Sequence, residues 1–272
     1  MTYLQTFQQY EQELARPEEL RYVFRYARHL SYTDLIMMLN SEITPADAAF
    51  LAEIAKRLLA DEPAQYIVGE TEFYGLTVNV DARALIPRPE TEELVALILA
   101  ENNGRDSLKV LDIGTGTGVI ALSLAKKQPT WQVTATDISS EALDLARENT
   151  AKNGIANLTF QVSDVFDNLS GKYDIIISNP PYIADFEAAD MAKNVLDYEP
   201  HLALFAENDG FAIYQKIAEK SAKFLSQTGK IYLEIGYLQG ARVRQIFKEQ
   251  LPEKRIRVLK DLSGKDRMIA ID

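Results

Sequence analysis

Asn179-Pro180-Pro181-Tyr182 follows directly on the apolar run Tyr173-Asp174-Ile175-Ile176-Ile177-Ser178. Its residue types make a compact set of hydrogen-bond acceptors. The two prolines fix φ and remove two backbone donors, so the segment cannot extend a sheet ladder and holds its flanking carbonyls in one pose. What remains is the Asn179 side-chain oxygen and the Pro180 carbonyl, with the ring of Tyr182 beside them. A planar –NH2 group, with two donors and one flat face, is the complement of that set. A rigid turn after a strand would use the same residues, so the tetrapeptide alone leaves both readings open.

An apolar run of this kind reads as a buried parallel strand. The tetrapeptide then sits at the strand's C-terminal end, the edge at which open α/β sheets bind ligands. Three earlier strands end in residues of matching use. Asp112-Ile113-Gly114-Thr115-Gly116-Thr117-Gly118 closes the first and opens a helix. Its glycines let backbone approach a ligand with no Cβ in the way. The spacing is G-x-G-x-G, not the G-x-G-x-x-G of dinucleotide sites. The carboxylate of Asp112 would repel a pyrophosphate and favour a cationic amino-acid end. Asp137 ends the second strand, where a carboxylate can accept from both hydroxyls of a ribose. Ser163-Asp164-Val165-Phe166 ends the third, where an acid and an aromatic ring could frame an adenine; ordinary core packing is the other reading of Phe166.

The surrounding pattern alternates strand and helix. Strands are expected at Leu108–Ile113, Trp131–Asp137, Leu158–Val162, Tyr173–Ser178 and Gly229–Ile235. Helices are expected at Val119–Lys127, Ser139–Asn153, Asp209–Leu225 and Gly240–Glu249. Arg255–Leu259 and Arg267–Ile271 read as antiparallel edge neighbours. Such alternation implies a doubly wound, mostly parallel sheet. Residues 1–62 instead carry helical spacing, with helix starts at Ser31 and at Thr44-Pro45, and are read as a small helical substrate-recognition domain. Residues 63–86, including Gln65–Gly69 and Glu72–Val80, read as a β-hairpin linker. Residues 87–272 form the catalytic domain, with Pro87-Arg88-Pro89 stiffening its entry.

Composition narrows the function classes. The chain has 272 residues, 47% hydrophobic and 25% charged, which suits a globular protein. It lacks cysteine and has only His29 and His201, which excludes disulfides and thiolate chemistry and argues against a metal site. No apolar run approaches the roughly 18 residues of a membrane span, and no signal peptide is evident; a cytoplasmic protein with no membrane partner is expected. A net charge of −11 disfavours direct nucleic-acid binding, which rests on phosphate neutralisation.

Taken together, the glycine loop, Asp137, the third-strand acid and the tetrapeptide make residues 105–272 resemble a class I S-adenosylmethionine-dependent methyltransferase. The resemblance implies a Rossmann-like, seven-stranded sheet with its last strand antiparallel. It implies that Gly114, Thr115, Gly116, Thr117 and Gly118 line S-adenosyl-L-methionine, which leaves as S-adenosyl-L-homocysteine. Asp137 would bind ribose, and Asp164, Phe166 and Asn179 would complete the cofactor site.

A second resemblance runs along most of the chain. Pro63–Gly69, Phe73-Tyr74-Gly75, Leu85–Glu92, Asn179–Ile183, Glu199-Pro200 with Ala203-Leu204, and Glu234-Ile235-Gly236 with Gln239-Gly240 are similar to the release factor glutamine methyltransferase family. It implies methyl transfer to the side-chain nitrogen of the glutamine in the Gly-Gly-Gln motif of peptide chain release factors. Asn179, Pro180 and Tyr182 would be catalytic, and Pro181, Arg88 and Glu92 would touch substrate. A monomer without a metal is expected. A ribosomal-protein glutamine methyltransferase and, further off, a nucleic-acid adenine or guanine methyltransferase are the alternatives. One departure stands out: family members often carry a glycine pair after Ala-Leu, where this chain has Phe205-Ala206-Glu207-Asn208-Asp209-Gly210.

Overall fold

Hydroxyl side chains start three of the N-terminal helices in the computed structural model, which describes residues 1–272 with the side chain of Asp190 left aside. Thr2 and Ser31 cap α1 (Tyr3–Glu11) and α3 (Tyr32–Met38) through reciprocal capping boxes. Thr44, followed by Pro45, caps α4 (Pro45–Leu59). Each such cap satisfies donors a helix start leaves free, for about 1 kcal/mol. With α2 (Glu18–Ala27) these helices bury Phe7, Leu20, Val23, Phe24, Leu51 and Ile54 in one cluster. Met1–Thr71 and Ala192–Tyr198 make up this unit. The returning segment is held by Tyr198 Oη donating to Ala60 O at 2.8 Å and by a Lys193–Asp61 ion pair at 3.2 Å.

One expectation fails here. Gln65–Gly69 was expected in the hairpin, but Ala64–Val68 is a short helix, α5. Gly69, at φ 82°, terminates it in the left-handed conformation, and Ala64, Ile67 and Val68 pack on the helical cluster. β-branched and aromatic residues favour a strand only weakly, and this burial overrides them. The hairpin itself is β1 (Glu70–Phe73) and β2 (Leu76–Asn79). Its two-residue turn, Tyr74-Gly75, has φ of 48° and 78°, the positive values that a twisted hairpin requires.

The second unit comprises Glu72–Met191 and Glu199–Asp272. Its sheet contains β3 (Lys109–Ile113), β4 (Gln132–Asp137), β5 (Leu158–Val162), β6 (Tyr173–Ser178), β7 (Leu225–Glu234), β8 (Ile256–Lys260) and β9 (Asp266–Ile271). Among the described residues the seven strands run in the order β5-β4-β3-β6-β7-β9-β8. β3, β4, β5, β6 and β7 are parallel, and β9 enters antiparallel between β7 and β8. The fold is that of a class I methyltransferase, an α/β sandwich with helices on both faces. Central strands are apolar on both sides, as helix-covered parallel strands must be; Ile175, Ile176 and Ile177 are fully buried. Burying each such side chain contributes roughly 1.5–3 kcal/mol.

Strand order reverses between β3 and β6, and their ends are in register, Ile113 beside Ser178. A crevice opens at such a switch point, outside the carboxyl ends of the strands. The helices of this unit are α6 (Pro89–Glu101), α7 (Val119–Lys127), α8 (Ser140–Lys152), the short α10 (His201–Leu204), α11 (Ala212–Phe224) and α12 (Gly240–Gln250), whereas the short α9 (Lys193–Tyr198) belongs to the first unit. No helix is long and apolar enough to cross a membrane among the described residues.

Candidate active site

A cavity of about 450 Å³ occupies the crevice, lined by residues 82–85, 87, 88 and 91, by Gly114–Thr117 of the glycine loop, by the ends of β4 and β5, and by Ser178–Pro181. The loop after β3 turns through left-handed residues, Gly114 at φ 69° and Gly116 at φ 56°. Its backbone is tied on both sides. Thr115 N donates to Thr136 O at 2.9 Å, and Gly116 N donates to Asp137 Oδ2 at 2.9 Å. From α8, the buried Asn149 amide donates to Thr117 O at 3.0 Å.

Gly114, Thr115, Gly116 and Thr117 line the cavity, whereas Gly118 does not. Gly118 sits at φ 86°, and a Cβ there would lie 2.8 Å from Leu122 Cδ1 and 3.0 Å from Ala146 Cβ. Its lack of a side chain serves the packing of α7 on α8.

Asp137 lies at the cavity edge, its Oδ1 accepting from Ser139 N at 3.0 Å and its Oδ2 from Gly116 N. Burial pushes its carboxyl up, against the pull of these donors. Each oxygen keeps a lone pair for a ligand, the arrangement that two vicinal hydroxyls fit. Asp112 is fully buried behind the loop, where Thr115 Oγ1 donates to it at 2.6 Å. Burial raises it to about 7, and the nearby Asp137 carboxylate adds to the rise.

At the end of β5, Asp164 lines the cavity and pairs with Lys216 at 2.8 Å. Phe166 does not reach the cavity. Its ring is buried and stacked on Phe224, with centroids 4.6 Å apart and planes 6° from parallel. Val165 belongs to the same buried cluster but also borders the cavity, and its φ of 52° is uncommon for a β-branched residue.

The tetrapeptide is anchored from the strand before it, Ser178 Oγ donating to Ile113 O at 2.7 Å. Asn179, Pro180 and Pro181 line the cavity. Asn179 Nδ2 donates to Thr91 Oγ1 at 3.2 Å, and Thr91 Oγ1 donates to Glu234 Oε2 at 2.7 Å. The amide oxygen and the Pro180 carbonyl are left as acceptors for the cavity. Tyr182 is outside the lining; its half-buried ring packs on the core beneath. Its carbonyl accepts from Gln239 Nε2 at 2.8 Å, while Gln239 Oε1 accepts from Gly236 N at 3.0 Å.

The 205–210 departure keeps a left-handed turn without a glycine pair. Asn208, Asp209 and Gly210 have φ of 54°, 55° and 84°, and Asn and Asp are the side chains that best tolerate that region. Gly210 cannot be replaced so simply, because a Cβ there would lie 2.1 Å from Tyr182 O.

Arg88 also lines the cavity, its Nη2 donating to Glu199 Oε1 at 2.6 Å. The Glu199 side chain is almost wholly buried and accepts from Ile86 N as well, at 3.3 Å. The pair fastens the segment before α6 to the one before α10. Glu92 lies apart from the cavity lining and accepts from Tyr74 N at 2.7 Å, supporting the hairpin turn. Thr91, Glu234, Glu199, Val165 and Lys216 had no role assigned from the sequence. A signal existed for Asp112 and Glu234, since a carboxyl inside an apolar strand must find partners.

The chain matches two family models, the Methyltransferase small domain over residues 91–201 and the PrmC N-terminal domain over residues 5–69. It is 53% identical to the release factor glutamine methyltransferase of Streptococcus pneumoniae, covering 100% of this chain and 99% of that protein. It is 51% identical to that of Lactococcus lactis, covering 100% of both. Among solved structures, a ribosomal protein L11 methylase from Lactobacillus delbrueckii is 25% identical, with a TM-score of 0.52 over 70% of this chain and 80% of that one. End-to-end identity of this size, together with a methyltransferase fold and an acceptor pair at the switch point, leads to one conclusion: the chain belongs to the release factor glutamine methyltransferase family.

Proposed function

We propose that this protein methylates the side-chain amide nitrogen, N5, of the glutamine in the Gly-Gly-Gln motif of peptide chain release factors, with S-adenosyl-L-methionine as donor. The observation that carries the reading is the pair of acceptors, Asn179 Oδ1 and Pro180 O, at the end of β6 and on the wall of the cavity. The amide NH2 of Asn179 is already engaged by Thr91.

The residues present fit the cofactor. The volume suits a ligand of that size, the open backbone at Gly114 and Gly116 suits its amino-acid end, and Asp137 suits its ribose hydroxyls. Bound there, the cofactor supplies a methyl group on a sulfonium centre. The protein's own part is positioning. A glutamine amide nitrogen is a poor nucleophile because its lone pair is delocalised into the carbonyl. Asn179 Oδ1 and Pro180 O accept its two N–H bonds and hold the nitrogen in one orientation, favouring partial localisation of the lone pair. Correct placement of this kind is worth several kcal/mol of barrier, and fixed dipoles in a water-poor site add to it. No side-chain base is required, since the nitrogen becomes acidic as the methyl group arrives and its proton can leave afterwards. Ile113, Ile120, Ile138 and Leu202 supply apolar walls.

The helical unit grips the release factor away from the reactive glutamine, in this reading, and Arg88 borders the entry. The net charge of −11 favours a protein substrate over nucleic acid. A translation factor as substrate points to work in the cytoplasm, and a monomer suffices for a site built from one chain. The direct test is mass spectrometry of a purified release factor incubated with this protein and isotopically labelled cofactor. Label on the Gly-Gly-Gln glutamine is expected. Label elsewhere, or transfer only to a ribosomal protein, overturns the proposal.

A further inference from the structure

We propose that Thr91 and Glu234 are positioning residues that fix which end of the Asn179 amide meets the substrate. The inference rests on the reaction proposed above, in which Asn179 accepts from the substrate amide.

An asparagine amide is nearly symmetric in shape, with a donor at one end and an acceptor at the other. Rotated by half a turn, it would set its own N–H bonds against those of the glutamine. Something must make one sense favourable. Thr91 Oγ1 has a single proton, and that proton is used on Glu234 Oε2 at 2.7 Å. While Glu234 is ionised the hydroxyl can offer only lone pairs toward Asn179, so Asn179 presents Nδ2 to it, at 3.2 Å, and the same amide also donates to the Glu234 carboxylate directly. The opposite end, Oδ1, is left for the cavity.

The arrangement is held rigidly and is buried. Thr91 lies in the first turn of α6, 3% exposed, and Glu234 ends β7, 2% exposed. The Glu234 carbonyl accepts from Tyr214 Oη at 2.8 Å, and its backbone is in register with Met268 on β9. The charged and titratable groups around the carboxyl are Glu90 on α6, Arg267 on β9, Tyr182 and Tyr214. A buried carboxyl with neutral hydrogen-bond partners is a poor stabilising device, since apolar replacements of buried charges are often neutral or stabilising. Its presence beneath the acceptor pair is explained by the polarity it imposes on Thr91 and, directly, on the Asn179 amide.

Three variants of the full chain test this, with turnover and KM measured on a purified release factor and cofactor affinity measured by calorimetry. Thr91→Val keeps the shape and removes the hydroxyl. Turnover should fall roughly tenfold to a hundredfold, the scale of a misplaced catalytic group, with cofactor affinity unchanged. Thr91→Ser restores the hydroxyl and should recover most of that loss. Glu234→Met removes the acceptor at similar volume; it should melt at the same or a higher temperature while turnover falls at least severalfold. Undiminished turnover in Thr91→Val or Glu234→Met overturns the relay, and so does a Thr91→Ser enzyme as slow as Thr91→Val. Wild-type protein assayed in parallel separates the two failures. Absence of transfer by the wild type defeats the proposed reaction, whereas normal wild-type transfer with unaffected variants defeats the relay alone.

Discussion

Replacing Gly118 and Gly114 by alanine, one at a time, should produce opposite kinds of damage. Both lie in one loop, at φ of 86° and 69°, and forcing an L-residue into that region costs about 1–2 kcal/mol. They differ in what the new methyl meets. At Gly118 it would stand 2.8 Å from Leu122 Cδ1, 3.0 Å from Ala146 Cβ and 3.4 Å from Ala146 Cα. The leucine methyl can swing aside, but the Ala146 backbone belongs to α8 and cannot. Overpacking of that sort costs about 1–3 kcal/mol. The Gly118→Ala total is therefore about 2–5 kcal/mol, and a domain of this size should melt roughly 4–20 °C lower. At Gly114 nothing lies within 4 Å of the new methyl, so only the backbone term applies, about 1–2 kcal/mol. Because Gly114 lines the cavity, its methyl should instead weaken cofactor binding at least tenfold. Denaturant unfolding followed by circular dichroism gives the first quantity and calorimetric titration the second. The reasoning fails if Gly118→Ala unfolds within about 0.5 kcal/mol of wild type, the range of an ordinary surface change. It fails equally if Gly114→Ala is the less stable of the two.

Further outcomes follow from the same geometry. Asn179→Ala should lower turnover at least a hundredfold while cofactor titration stays near normal; near-normal turnover would remove Asn179 from its role. Asp137→Ala removes a charged acceptor worth about 1.5–3 kcal/mol per hydrogen bond, so cofactor affinity should drop roughly tenfold to a hundredfold, and an unchanged titration would refute the ribose assignment. Asp112 gives a pH signature in stability. Its carboxyl holds a proton up to about pH 7 in the folded protein but releases it near 3.8 when unfolded. Between those values the folded state binds more protons, so stability declines as pH rises through that window. Asp112→Asn should remove this contribution, flattening the dependence by about 4 kcal/mol. Melting curves from pH 4 to 8 with the same slope in both proteins would contradict the assignment.

Local pattern carried most of the architecture. Strand and helix positions in the second unit follow from apolar runs and glycine loops, which act within a few residues and are read from sequence alone. Where a segment's fate depended on what it packs against, the pattern misled, as at Gln65–Gly69, whose β-branched residues lie in α5 because the helical cluster buries them. In the candidate site the same division holds. The residue types at the strand ends marked Asp137, the glycine loop and Asn179–Pro181, since topology delivers the C-terminal ends of parallel strands to one crevice.

Only the tertiary structure could separate Gly118 from Gly114, because the difference is the distance to α8. Only it could place the Phe166 ring in the core, stacked on Phe224, away from the cavity. The links from Arg88 to Glu199 and from Asn179 through Thr91 to Glu234 span more than eighty positions of chain in each case. Sequence determined which groups this protein can bring to bear at its sheet edge. Which of them touch, and which end of an amide faces the ligand, was decided by packing between distant elements, because hydrogen bonds are set within tenths of an ångström and sequence spacing fixes no such distance.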